Sequence, residues 1–320
     1  MPIDSNEHMH IYCLNVGQGD TTIIITPDNN VVIIDAVNAS KIRALLKDLG
    51  LDDGETIKHV IVSHPHYDHY SAVAGLLNNY AVEELTLSSL RRYEENKPGY
   101  VGIINQAVQK KIPLNFCSGY RQVFPDETPF VDENALLLEL LGPSNQLIDG
   151  LFDANRLNTN HYSIMARLNL GRFRMIVAGD AQMENWFHYD RERMLDGNVT
   201  VMRSAHHGSA NGTQYEALTR VSPRLIIVSS DPGGKDKLPD LIGCAAFRRY
   251  RRSQSGSIVS LTKETGSIYI KVRLTGGSEY YFFEDKRREN VDLNARQPLK
   301  RGDDPTDWNT LAQERMATSG

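Results

Sequence analysis

His64-Pro65-His66-Tyr67-Asp68-His69 puts four metal-capable side chains into six residues, at the end of the apolar run His59-Val60-Ile61-Val62-Ser63. Such a run reads as a buried strand, and the turn leaving it can aim alternate residues at one ion and the next pair at a second. Three imidazoles and a carboxylate suit zinc or a similar first-row dication. Two ions roughly 3.5–4 Å apart are the arrangement that activates water for phosphoester and amide hydrolysis. Pro65 pushes His64 toward extended geometry, which suits a ligand at a strand end. The plain alternative, three unrelated loop histidines, is opposed by the rest of the chain, which supplies further ligand-type residues in order.

Strand-like and helix-like segments alternate along most of the 320 residues. A hairpin series is expected at Met9 to Leu14, Asp20 to Thr26 and Val31 to Asp35, turning at Pro27-Asp28-Asn29-Asn30. A helix at about Ala39 to Leu49, a strand at Lys58 to Val62, a helix from about Tyr70 to Asn79 and a strand at Glu84 to Leu87 follow. Ala135 to Leu141 reads as a strand and Gly142 to Asn160 as a polar loop. His161 to Leu170 and Phe173 to Ala178 form a hairpin that stops at Gly179-Asp180. Strands Val199 to Met202 and Leu225 to Val228 repeat the α/β pattern, and three β segments between Ser257 and Phe283 close it. Beyond Glu284 the composition turns charged and polar, so 1–284 is expected to be the folded domain. Residues 285–320 read as a flexible tail, with a short helix at Trp308 to Met316. Trp308 is the tail's docking residue, for a protein partner or a neighbouring subunit.

The apolar content of 40% and charged content of 23% are those of an ordinary globular chain, and the longest apolar runs are strand-sized, too short to span a bilayer. Met1 to His10 has no signal-peptide pattern, so a cytoplasmic location is expected. Cys13, Cys117 and Cys244 have no paired spacing and imply neither a disulfide framework nor a cysteine metal site. The net charge of -5 gives no general support to nucleic-acid binding, so any such binding must be local.

Three strings together resemble a known pattern: Leu14-Asn15-Val16-Gly17-Gln18-Gly19-Asp20, the His64 to His69 motif, and Ala205-His206-His207-Gly208-Ser209. Over about residues 9–283 the chain resembles the metallo-β-lactamase superfamily, and within it the hydrolase domain of the competence protein ComEC, here without a membrane channel. The resemblance implies a four-layer αββα sandwich of class α/β, with two mixed β-sheets face to face and two divalent metal ions, Zn²⁺ or Mn²⁺, at one edge. It implies that His64 and His66 bind the first ion, Asp68 and His69 the second, and Asp180 both.

Asp35, ending the strand Val31 to Ile34, corresponds to the aspartate that orients the histidine motif. A lone Asp180 after an apolar strand needs a cation partner or stays costly to bury; its ordinary alternative is a helix N-cap. His206 and His207 are adjacent and cannot point the same way, so one is expected as a ligand of the second metal and the other facing substrate, and the resemblance favours His207 as the ligand. His161 is either a third histidine for the first metal or a neighbour of it, since Asn160 and Ser163 match what ComEC-type domains carry there.

The reading that follows is a dimetal phosphodiester hydrolase, most simply a nuclease acting on DNA through metal-activated water. Asp68, His206 and Asp20 are its catalytic candidates. Gln18 and Ser209 are substrate-side candidates, with Asp20 and Gln18 lining the cleft. Where ComEC-like domains carry a histidine after the strand Leu225 to Val228, this chain has Lys235 and Lys237, whose ordinary reading is a solvated loop and whose alternative is a phosphate contact in the histidine's place. Phe247-Arg248-Arg249-Tyr250-Arg251-Arg252 interleaves cations and aromatics as single-strand binders do; equally, Arg248 and Arg249 fit the last turns of a helix. A small-molecule hydrolase acting on a phosphodiester, lactam or thioester, and a catalytically silent metal-binding module, are the alternatives. A flavodiiron-type centre is disfavoured, because His66 stands where that branch carries glutamate.

Overall fold

The computed structural model describes residues 7–93, 97–125, 135–191, 195, 197–231 and 237–318. Among these, nine strands form one sheet in the order Gln297–Leu299, Ser278–Phe282, Ile268–Arg273, His8–Cys13, Thr22–Ile25, Val31–Ile34, His59–Ile61, Leu85–Ser88, Leu114–Cys117. Seven form a second: Ile258–Leu261, Leu225–Val228, Val201–Arg203, Phe173–Val177, Met165–Leu170, Leu137–Leu141, Tyr120–Phe124. Both are mixed. Val31–Ile34 through Leu114–Cys117 run parallel, as do Phe173–Val177 through Ile258–Leu261, while hairpins such as His8–Cys13 with Thr22–Ile25 are antiparallel.

The side-chain alternation of the strands builds the layers. Ile24 turns inward and joins Met9, Ile11 and Val32 against Leu168, Met175, Val201 and Leu225 of the other sheet. Its neighbours Ile23 and Ile25 turn outward, beneath the helices Ala39–Asp48, Val73–Asn79 and Pro98–Gln109. On the second sheet Ile176, Met202 and Ile226 turn outward beneath Met183–Arg191, Tyr215–Val221 and Leu241–Ser253. The architecture is therefore a four-layer αββα sandwich. Burial on both faces explains why these strands are apolar throughout rather than alternating.

Ile34, Ile61, Val177, Arg203 and Val228 all end parallel strands at one edge of the sandwich, and the loops that follow them carry Asp35, the His64 to His69 motif, Asp180, His206 with His207, and Ser229. In open α/β sheets ligands bind outside the carboxyl ends of the strands, and this edge is where the chemistry-bearing residues collect.

Three expectations change. The polar stretch Gly142 to Asn160 contains a helix, Asn145–Asp153, whose N-cap Ser144 Oγ accepts from Leu147 N at 3.1 Å and whose Ile148 and Leu151 are buried. The strand expected from His161 begins only at Met165, because 159–162 form a turn of 3-10 helix. The segment after Phe283 is not a flexible tail. Gln297–Leu299 adds the edge strand of the nine-stranded sheet. The helix Trp308–Thr318 lies on Leu241–Ser253, with Trp308 3% exposed, its ring 4.8 Å from that of Phe247 and its Nε1 donating to Val259 O at 3.1 Å. Trp308 docks on its own chain. Its neighbours Leu311 and Ala312 are also buried, so the polar composition concealed a narrow apolar stripe. No helix among the described residues is long and apolar enough to cross a membrane.

Trp308→Ala is expected to cost about 3–5 kcal/mol, as large-to-small changes in a core do. Urea denaturation should show a lower midpoint at an unchanged m-value; an unshifted midpoint would restore the flexible tail.

Candidate metal centre

The geometry of the centre is organised by Asp180, which is 2% exposed. Gly179 lets the chain turn there at φ 52°, and a Cβ at that position would lie 2.8 Å from Ser63 Cβ, so the two sheets approach too closely for any other residue. Asp180 N donates to Ser163 Oγ at 3.0 Å, and the next helix starts only at Met183, so the N-cap alternative does not apply.

The two carboxylate oxygens of Asp180 divide the imidazoles into two sets. His69 Nε2 lies 3.2 Å and His207 Nε2 3.4 Å from Oδ1, and Asp68 Oδ2 is 3.7 Å from His207 Nε2. Around Oδ2 stand His64 Nε2 at 3.5 Å and His206 Nε2 at 3.8 Å, with His66 Nδ1 2.9 Å from His64 Nε2. His69 Nε2, His207 Nε2 and Asp180 Oδ1 are buried with no hydrogen-bond partner among the described residues. Buried polar atoms without partners are costly, and here they converge at ligand-to-ligand spacing. His64, His69 and Asp180, and likewise Asp68, His69 and His207, form groups that could hold an ion. The donor set, imidazole and carboxylate, fits two first-row dications.

The residues behind the ligands fix which ring nitrogen is free. Asp35, at φ 55°, accepts from Ser63 N at 2.7 Å and Ser63 Oγ at 2.8 Å, and sits 2.8 Å from His69 Nδ1. That contact leaves His69 Nε2 facing the centre. Ser229 O takes the Nδ1–H of His207 at 2.9 Å, leaving its Nε2 likewise. His206 and His207 both adopt left-handed backbone, at φ 48° and 52°, and this strained pair straddles Asp180. Both imidazoles therefore enter the centre, where the sequence expected only His207.

His161 belongs to none of the groups among the described residues that could hold an ion. Its Nδ1 accepts from Asn158 N at 3.1 Å, completing a reciprocal cap with the Asn158 side chain, and its Nε2 faces Glu184 Oε2 at 3.4 Å. Asn160 reaches in instead, its Nδ2 3.0 Å from His206 Nε2. Asp20 lies beneath the cleft rather than lining it: it is 1% exposed, with Arg203 Nη2 3.2 Å and His207 Nδ1 3.8 Å from Oδ1. Gly19 allows this loop to pass under the motif, where Asp20 N donates to Asp68 O at 3.1 Å. Gln18 is half-buried in the same loop. Ser209 is buried and turned onto the back of His206, 2.7 Å from Nδ1, where it braces the ring.

Arg203 is the residue the sequence reading missed. It is fully buried and donates to Ser229 Oγ from Nε at 2.9 Å and to Thr21 O from Nη1 at 2.6 Å, tying the two sheets together behind the centre. A lone cation closing an apolar strand was its signal, the same that pointed to Asp180.

The basic cluster is remote. Asp240 caps the helix Leu241–Ser253 beside the His206 turn, accepting from Gly243 N at 2.8 Å and Ala210 N at 2.6 Å. The helix then runs away, so its arginines lie about 8–14 Å further along the axis. Tyr250 OH donates to Pro223 O at 2.8 Å, at the opposite end of the sheet. Phe247 and Tyr250 are buried in the core, Arg249 stacks on Tyr215 at 3.8 Å, and Arg251 pairs with Asp304. The helix-terminal account of Arg248 and Arg249 is the one that fits, because no aromatic of the cluster is free to stack a base. Lys237 is exposed ahead of this helix, and Lys235 lies outside the described residues.

Burial holds the His64 imidazole well below its ordinary pKa, so it is neutral and ready as a ligand. Burial works against a charge on His69 too, but Asp180 and Asp35 outweigh it and hold this imidazole well above its ordinary value. Burial opposes the Asp180 charge, and His207, His69 and His64 together overcome it and keep the carboxyl well below the usual range. An ion taken at His69 Nε2 must displace a proton, so affinity is expected to rise with pH from the ordinary histidine range upward. Calorimetry in buffers of different ionisation enthalpy should record that proton release; equal heats would contradict it. Metal analysis of purified variants tests the partition: His161→Ala should keep two ions per chain, His206→Ala should fall toward one, and Asp180→Ala should lose about both. Loss of an ion from His161→Ala with His206→Ala unaffected would reverse the assignment.

Residues 14–224, more than half of the chain, match the family model described as the metallo-beta-lactamase superfamily. Among solved structures the chain is similar to CmlA, a diiron beta-hydroxylase from Streptomyces venezuelae, at 12% identity and a TM-score of 0.52, over 83% of this chain and 54% of that one. It is similar also to Zn²⁺-bound PqqB from Methylobacterium extorquens, at 10% identity and a TM-score of 0.45, over 79% and 97%. A metallo-beta-lactamase from Staphylococcus aureus subsp. aureus COL matches at 15% identity and a TM-score of 0.41, over 68% and 62%. The chain spans about half the length of CmlA, and no curated protein matches its sequence. At such identities the likeness concerns the fold alone, and it is the family match over 14–224, on a sandwich whose edge gathers the histidine motif, that shows this chain to belong to the metallo-β-lactamase superfamily.

Proposed function

We propose that this metallohydrolase-fold protein is a dimetal phosphodiesterase acting on DNA, of the ComEC-type branch of its superfamily. The observation that carries the reading is where the branch-like strings fall. Ala205-His206-His207-Gly208-Ser209 supplies an imidazole to each oxygen of Asp180, and Leu14 to Asp20 runs directly beneath Asp68, with Asp20 N bonded to Asp68 O. The strings that narrow the resemblance are thus built into the centre.

His64, His66 and His206 with Asp180 would hold one ion, and Asp68, His69 and His207 with Asp180 the other. When bound, two divalent ions, Zn²⁺ or Mn²⁺, supply Lewis acidity toward phosphoryl oxygens and make water a usable nucleophile at neutral pH. Asp68 is the centre's open carboxylate, its side chain 33% exposed against 3% for Asp180. That exposure suits it to orient a water and accept its proton. His206, with a side chain 20% exposed, faces the same opening. Asp20 and Arg203 act from behind, as positioning residues: the buried guanidinium balances the carboxylate next to His207.

A narrow substrate is the second reading, since the arginine cluster stands away from the centre. Purified protein supplied with Mn²⁺ or Zn²⁺ is expected to nick supercoiled plasmid or degrade single-stranded DNA, and Asp68→Ala to slow this by about 10²-fold or more. Hydrolysis confined to small phosphodiesters, lactams or thioesters would move the protein to the narrow-substrate class, and a fully active Asp68→Ala would remove Asp68 from the mechanism.

A further inference from the structure

The segment that follows Phe283 is pinned against the first-sheet side of the cleft with more precision than its composition suggests. The Asp285 carboxylate accepts from Ser267 N at 2.6 Å and Ser267 Oγ at 2.9 Å and pairs with Lys41, whose side chain is 1% exposed. Lys41 Nζ donates also to Asn15 O at 2.8 Å and Lys286 O at 3.1 Å. Asn15 Nδ2 donates to Asp285 O at 2.9 Å, and Asn38 Nδ2 to Arg287 O at 3.1 Å. Three successive residues are therefore held on the loop that begins Asn15-Val16-Gly17 and on the start of the helix Ala39–Asp48.

This anchoring delivers the Arg287 side chain across Gly17. A Cβ at Gly17 would stand 2.6 Å from Arg287 Cδ and 2.7 Å from Nε, so the absence of a side chain there makes room for the arginine. From Gly17, on the first-sheet side, the guanidinium reaches toward the second-sheet side, its Nη1 3.9 Å from Asp231 Oδ2. Asp231 pairs with Lys263 at 3.3 Å and lies two residues after Ser229, whose carbonyl holds His207. The arginine thus bridges the loop beneath Asp68 and the loop behind His207. It remains 58% exposed, and its ion pair with Asp231 is loose.

We infer that Arg287, with Lys263 beside it on Asp231, is a substrate-phosphate-binding residue on the flank of the centre, between the Gly17 loop and the loop that follows Ser229. The inference rests on the phosphodiesterase reading above. A guanidinium offers a fork of donors matched to phosphate oxygens. Arg287 has the three properties such a residue needs: a pinned backbone, an exposed head and, among the described residues, a distant ion pair to give up. The charge that the whole molecule lacks is supplied locally by a segment remote in sequence from every metal-binding string.

The test uses the full chain loaded with Mn²⁺ or Zn²⁺ and compares wild type with Arg287→Ala and Arg287→Lys. Metal content and melting temperature serve as controls on folding. Arg287→Ala is expected to raise KM for DNA, and Kd for a phosphorothioate oligonucleotide, by about tenfold, with kcat within about threefold and a salt slope shallower by about 1. Arg287→Lys should recover part of the loss. An unchanged KM, Kd and salt slope with metal content intact would overturn the inference. Should wild type neither cut nor bind DNA, the phosphodiesterase reading on DNA fails by itself, and inorganic phosphate binding then decides on Arg287. Weaker phosphate binding in Arg287→Ala would uphold the residue's role, and equal binding would end it.

Discussion

A carboxylate buried between imidazoles is the constraint from which the rest of this molecule follows. Asp180 closes an apolar strand at 2% exposure, where an ionised group survives only with positive charge around it. Five imidazoles and one further carboxylate are drawn from two loops to surround it, and each loop has to leave its strand at the same edge of the sandwich. The parallel pairing of Val31–Ile34 with His59–Ile61, and of Phe173–Val177 with Val201–Arg203, meets that demand. The two sheets also come close enough that Gly179 has no space for a Cβ.

Convergence of this kind is held against local preference. Asp35, His206 and His207 all have positive φ, a conformation that costs a non-glycine residue of order 1–3 kcal/mol when it is imposed. The surrounding bonds are what impose it: His206 N to Gly179 O at 3.0 Å, His207 Nδ1 to Ser229 O, and Ser63 to Asp35. Behind them Arg203 and Asp20 form a buried ion pair that stands between the centre and the inter-sheet core. Removing one member of such a pair leaves an uncompensated charge. The pair is therefore better understood as holding His207 and the Asp20 loop in place than as a source of stability.

The segment after Glu284 completes the structure on both sides. Gln297–Leu299 extends the first sheet, Trp308 seals the outer core of the second, and Asp285 ties itself to Lys41 under the loop that supports Asp68. A segment whose composition reads as solvated thus serves as covering, because a few well-placed apolar and charged groups suffice when the surface to be covered already exists.

What the sequence by itself determined was the set of local, periodic features: the apolar strands, the His64 to His69 spacing at a strand end, and the lone Asp180 after an apolar run. Each is decided by neighbours a few residues away, through side-chain alternation or the cost of burying a charge. Only the tertiary structure decided which donors meet. His161 and Asn160 are adjacent, yet a cap on Asn158 turns the imidazole toward Glu184 and leaves the amide to face His206. His206 and His207 both enter the centre because two successive left-handed residues straddle Asp180, a geometry fixed by contacts with Gly179 and Ser229 rather than by their own preferences. Arg203 and Arg287 gain their places from partners 26 to 182 residues distant for the first and 249 for the second, and no local pattern encodes such contacts.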